Sequence, residues 1–112
     1  MERTTTTPRD EGKMHKGIWI ATAEVRVQPG DVPSGDTLGF MKIAMWAASK
    51  QDFLGRVSAY FKKYQWDLLS IDHTFEVDPA VDYGDEVNRM IDETSENENF
   101  IRLGTYYSYK PE

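Results

Sequence analysis

Apolar and polar residues alternate in four stretches of the chain and recur at helical spacing in two others, and this pattern predicts the architecture. From Ile18 to Gln28, Trp19, Ala21, Ala23, Val25 and Val27 fall on one side, with Thr22, Glu24 and Arg26 on the other. Phe40 to Ala48 repeats the period. Met41, Ile43, Met45 and Ala47 alternate there with Phe40, Lys42, Ala44 and Trp46. The segment between them carries Pro29, Pro33, Gly30, Gly35 and Gly39, which predicts a long turn joining two antiparallel strands.

Ser49 is placed to cap a helix, with Asp52 three residues on resembling the acidic partner of a capping box. Phe53, Leu54, Val57, Tyr60, Phe61 and Tyr64 then form one apolar stripe, while Lys50, Arg56, Lys62 and Lys63 stay in solvent. Gly55 within this helix hints at close packing, since glycine costs up to ~1 kcal/mol there relative to alanine. A third strand is predicted over Leu68 to Val77, with Leu69, Ile71, His73, Phe75 and Val77 sharing the apolar face. Pro79 ends it. A second helix follows from about Val81 to Thr94, with Tyr83, Val87, Met90, Ile91 and Thr94 on its apolar side, and Phe100 to Tyr109 supplies a last strand.

The order strand, strand, helix, strand, helix, strand predicts an α+β two-layer sandwich: a four-stranded mixed sheet with both helices on one face. A ferredoxin-like variant is the second candidate. A polar tail over residues 1–16 without hydrophobic periodicity precedes a single domain over residues 17–112, in keeping with a chain of 112 residues. No run approaches the ~20 apolar residues of a membrane span and no signal-type segment opens the sequence, so a cytoplasmic protein is expected.

Charge changes this picture more than composition does. The net charge is -6, yet from Asp67 to Glu98 eleven carboxylates face one cation, Arg89. Such a half disfavours nucleic acid and suits a basic protein partner, or serves only to keep a small protein in solution; with no apolar span, no membrane partner is expected. The absence of cysteine excludes disulfides, thiolate metal sites and cysteine nucleophiles. His73 and Asp72 are neighbours on a strand and point to opposite faces, which argues against an acid–base dyad and for a histidine at the core. His15 is the other histidine and lies in the tail, so no metal site is expected. No nucleotide-binding, hydrolase or calcium-loop motif occurs, and no cofactor is expected.

If both helices cover one face, the other is open and presents Lys42, Trp46, Asp72, Glu76, Arg102 and Tyr106, with Phe40 and Phe100 beside them. A sheet face mixing aromatics with both signs of charge suits a non-enzymatic protein-interaction or regulatory domain, with homodimerisation through this face as one form of it. The alternative is a small-molecule-binding domain or small enzyme with its pocket on the same face. Solvated cross-strand pairs, such as Lys42 or Arg102 with Asp72 or Glu76, would account for the charges without any ligand.

Overall fold

The computed structural model describes residues 16–32 and 35–109, so all of the expected tail but Lys16 lies outside the described residues. Strand β1 (Gly17–Arg26) and strand β2 (Leu38–Ala47) form the predicted long-looped hairpin, in register from Gly17 opposite Ala47 to Arg26 opposite Leu38. Helix α1 (Lys50–Lys63) follows, then β3 (Asp67–Glu76), helix α2 (Asp85–Ser95) and two short pieces, β4 (Arg102–Leu103) and β5 (Tyr107–Ser108). The α+β class and the order of elements are those the hydrophobic pattern predicts. The sheet is open, in the order β3-β1-β2-β4, with β5 also pairing β2. Every pairing is antiparallel, so the sheet is not mixed.

Helix α1 starts as its sequence requires. The Ser49 hydroxyl accepts from the Asp52 N–H at 3.1 Å, and the Asp52 carboxylate accepts from the Ala48 N–H at 2.8 Å. The second bond reaches one residue before the cap, so the arrangement is a near relative of the capping box. Phe53, Val57 and Phe61 are buried against Ala21, Ala23, Val25, Met41, Ile43 and Met45, forming the main core. The helix ends at Tyr64, and Trp66 N–H reaches back to the Phe61 carbonyl at 3.0 Å while Gln65 takes a left-handed φ of 61°.

Helix α2 is placed differently from the expectation. It packs on the sheet face opposite α1, with Val87 and Met90 buried against Ile20 and Ala44 and with Phe75 and Val77 beside them. The reason lies in side chains that the alternation of β1 and β2 turns away from α1. Ile18, Ile20, Ala44 and Trp46 make one end of the second face apolar, while Thr22, Glu24, Arg26 and Lys42, with Phe40 among them, make the other end mostly polar. An apolar patch of that size must be covered, and α2 covers it.

Strand β3 contributes to both cores because it is bulged twice. His73 and Thr74 together stand opposite Ala21, between the pairs Ile20–Phe75 and Thr22–Asp72, and Leu69 is a second extra residue between the pairs Glu24–Ser70 and Val25–Leu68. Each extra residue reverses which side chains point to which face. Ile71 and Leu68 therefore pack with α1, whereas Phe75 lies under α2. His73 carries the first bulge in a left-handed conformation (φ 55°) and is exposed, not a core residue. The run from Phe100 to Tyr109 is likewise interrupted. Gly104 N–H bonds the Lys42 carbonyl, Thr105 N–H turns to the Glu86 carboxylate at 2.7 Å, and pairing resumes one residue out of step at Tyr107.

Candidate functional site

The residues that the alternation assigns to an open face divide into three groups. Lys42, Trp46 and Arg102 all meet α2. The Trp46 indole Nε1–H donates to the Thr94 carbonyl at 2.8 Å, Arg102 Nε donates to the Glu93 carboxylate, and the charge of Lys42 helps hold the Glu86 carboxyl below its ordinary range. The larger cause of that depression is the pair of hydrogen bonds Glu86 accepts from Thr105, from its backbone N–H first and its side chain second. Glu86, Glu93 and Thr94 lie along the side of α2 that faces the sheet. A surface with the makings of a protein-binding face thus receives the chain's own second helix.

Glu76 and Tyr106 belong to the other side. Glu76 pairs with Trp19, and partners in an antiparallel ladder share a face, so the His73 bulge separates it from Asp72. Tyr106 packs against the α1 core, its ring lying over Gly39, where a Cβ would stand 2.6 Å from the ring. Its hydroxyl donates to the Asp36 carbonyl at 3.0 Å, and partial burial, reinforced by the Asp36 charge, raises its pKa. Glu76 is exposed on that side, and only Asp72 of the six lies on the uncovered part of the second face.

That surface is the polar half of the second face, and it is cross-linked within itself. Glu24 on β1 accepts from the Ser70 hydroxyl on β3 at 3.1 Å and from the Tyr109 hydroxyl just beyond β5. To reach Glu24, Tyr109 crosses the ring of Phe40, with centroids 5.3 Å apart. The hydrogen bond to Glu24 is the main cause that raises the Tyr109 pKa, since ionising the phenol would lose it beside a carboxylate. In the next row Arg26 pairs with Asp67 at 3.2 Å. The expected cross-strand pairs of Lys42 or Arg102 with Asp72 or Glu76 do not form.

Phe40 is 39% exposed and its cross-strand partner Tyr107 is 59% exposed, so aromatic surface faces solvent on a framework already fixed by hydrogen bonds. Alternation in the sequence places Phe40 on this face but not Tyr107 and Tyr109, because the one-residue shift between β4 and β5 exchanges the faces of the last strand. Where α2 meets this half-face, its acidic side begins. Asp85, Asp92 and Glu96 along α2, Asp78 and Asp82 in the turn before it, and Asp72 on the half-face form no ion pair among the described residues. Asp82 is held below its ordinary pKa range by the N–H of Gly84, then by Asn88.

Among the described residues no group of three or more His, Asp or Glu side chains is placed to hold a metal ion, and no helix is long and apolar enough to cross a membrane. Comparison of the chain with protein-family models, with curated proteins and with solved structures finds no match.

Proposed function

We propose that the chain is a non-enzymatic protein-interaction domain whose contact surface is the uncovered half of the sheet, continued onto the acidic side of α2, and whose partner presents basic side chains. The observation that supports this reading is the exposed aromatic pair Phe40 and Tyr107, with the half-buried Tyr109 against Phe40, on a face already braced by Glu24, Ser70, Arg26 and Asp67. Aromatic side chains held this way bring large contact area and lose little freedom on binding. Unpaired carboxylates along the exposed side of α2 would steer a basic partner and make association sensitive to salt.

Size favours this partner over a second copy. The uncovered half spans roughly five residues of strand, ~17 Å, by about four strands, ~15 Å, or only a few hundred Å². A stable protein interface needs about 800 Å² per partner. An isologous dimer through the half-face alone falls short and, extended onto α2, would oppose carboxylate to carboxylate. A basic partner reaching from the aromatics onto α2 meets neither difficulty. The alternative of a ligand pocket among Lys42, Trp46, Asp72, Arg102 and Tyr106 gains no support, since α2 engages three of these and Tyr106 lies across the sheet.

The test is affinity capture at low ionic strength, read by mass spectrometry, with the wild type, a Phe40→Ser/Tyr107→Ser variant and an Asp85→Lys/Asp92→Lys variant. The expected result is a captured protein that added salt releases and that both variants lose while keeping the wild-type circular dichroism. Identical captured sets for all three would count against the proposal.

A further inference from the structure

Strand β4 pairs β2 only at Ile43 and Ala44, so the outer edge of β2 runs on past it through Met45 and Trp46. A cleft of about 340 Å³ opens there. Its floor is Met45, Trp46 and Ile101, one wall is the loop carrying Phe100, and the other is α1, which presents Arg56, Tyr60 and Lys63. The volume lies within the ~300–1,000 Å³ range of small-molecule sites. Three aromatic side chains, those of Trp46, Tyr60 and Phe100, border it, and Phe100 is 39% exposed.

Charge at this cleft is opposite to that of the protein as a whole. Arg56 and Lys63 stand two helical turns apart on the same wall, with the small Ala59 and the ring of Tyr60 between them. Arg56 uses its Nε on Asp52 at 3.0 Å, and among the described residues its terminal nitrogens make no other bond. The ammonium of Lys63 has no carboxylate partner among those residues and lies 6.0 Å from the centre of the Tyr64 ring. Glu98, the one acid lining the cleft, is offset by Lys16 at 3.7 Å.

We infer that this cleft binds a small planar aromatic anion, its ring between Tyr60 and Phe100 and its charge against Lys63 and the free end of Arg56. Rings stacked on aromatic side chains and an anion met by a guanidinium or ammonium are the contacts this lining offers. The site is separate from the uncovered half-face, so its occupant and the protein partner are distinct.

The test uses 8-anilinonaphthalene-1-sulfonate as the probe, followed by its fluorescence, with N-phenyl-1-naphthylamine as the uncharged control. Saturable binding with one site per chain is expected, with the uncharged control at least about tenfold weaker. Lys63→Glu and Tyr60→Ala should each weaken the anion by a similar factor, while Arg26→Glu, on the other side of the sheet, leaves it unchanged. Competition by adenosine monophosphate and by indole-3-acetate distinguishes a phosphate from a carboxylate as the preferred anion. Equal binding of charged and uncharged probes, indifference to Lys63→Glu, which alters an exposed side chain and spares the fold, or failure of both competitors would each overturn the inference.

Discussion

Thr94 is fully buried, and its hydroxyl is the one buried side-chain group without a hydrogen-bond partner among the described residues. Its neighbour in function is its own carbonyl, which receives the Trp46 indole, so the backbone at this position is used and the hydroxyl is not. Thr94→Val keeps the shape and removes the orphan group, and is expected to stabilise the fold by about 1 kcal/mol, read as a higher midpoint in chemical denaturation. Gly55 leads to a second expectation. An added Cβ there meets nothing within 4 Å, so the close packing that a mid-helix glycine suggests is absent. Gly55→Ala is therefore expected to gain about 0.5 to 1 kcal/mol, from helix propensity alone. His73 and Gln65 hold left-handed backbone without being glycine, a conformation that alternation in the surrounding sequence does not reveal.

At the scale of elements, the β1–β2 hairpin and α1 were legible because their signals are local. Alternation over ten residues and a capped apolar stripe depend on no distant partner. The faces of β3 were not, since a bulge changes parity without leaving a composition cue: the one at His73 moves Phe75 and Glu76 to faces opposite those their spacing implies, and the one at Leu69 turns Leu68 toward α1. The start of α2 also shifts, from about Val81 to Asp85. Gly84 takes a φ of 96° there, and Asp82 accepts from its N–H at 2.9 Å, so the preceding residues form a turn instead of a first helical turn. The α1 cap has a pH signature. Asp52 is held below its ordinary pKa of 3.8 by the Ala48 N–H first and by Arg56 second. A carboxylate depressed on folding contributes stability above its unfolded pKa and loses it as pH falls through the folded value. The difference in melting temperature between wild type and Asp52→Asn should accordingly be constant near neutrality and shrink below pH 3.8. A difference unchanged down to the acid limit would show that the cap charge does not contribute.

Over the whole molecule, the two helices carry opposite charge to opposite sides of the sheet. Helix α1 holds Lys50, Arg56, Lys62 and Lys63 against Asp52, a net +3, and α2 holds Asp85, Glu86, Asp92 and Glu93 against Arg89, a net -3. The acidity of the second half was plain in the sequence. Its concentration on one side of the fold was not, because that depends on which face α2 takes. The choice rests on Ile18, Ile20, Ala44 and Trp46, four residues in the phase of β1 and β2 that also carries Glu24, Arg26 and Lys42. Read residue by residue that phase looks polar, and read by position it is apolar at one end. The surface expected to receive a foreign protein is divided accordingly: its apolar end takes α2, and its polar end with Phe40, Tyr107 and Tyr109 stays available.

This division is tested most directly by hydrogen exchange at the Trp46 indole, with the resonance assigned by its loss in Trp46→Phe. If α2 lies across the second face, the indole N–H bonded to the Thr94 carbonyl exchanges slowly, and is released when Val87→Asp undocks the helix. Exchange at the rate of a solvent-exposed indole in the wild type would contradict it.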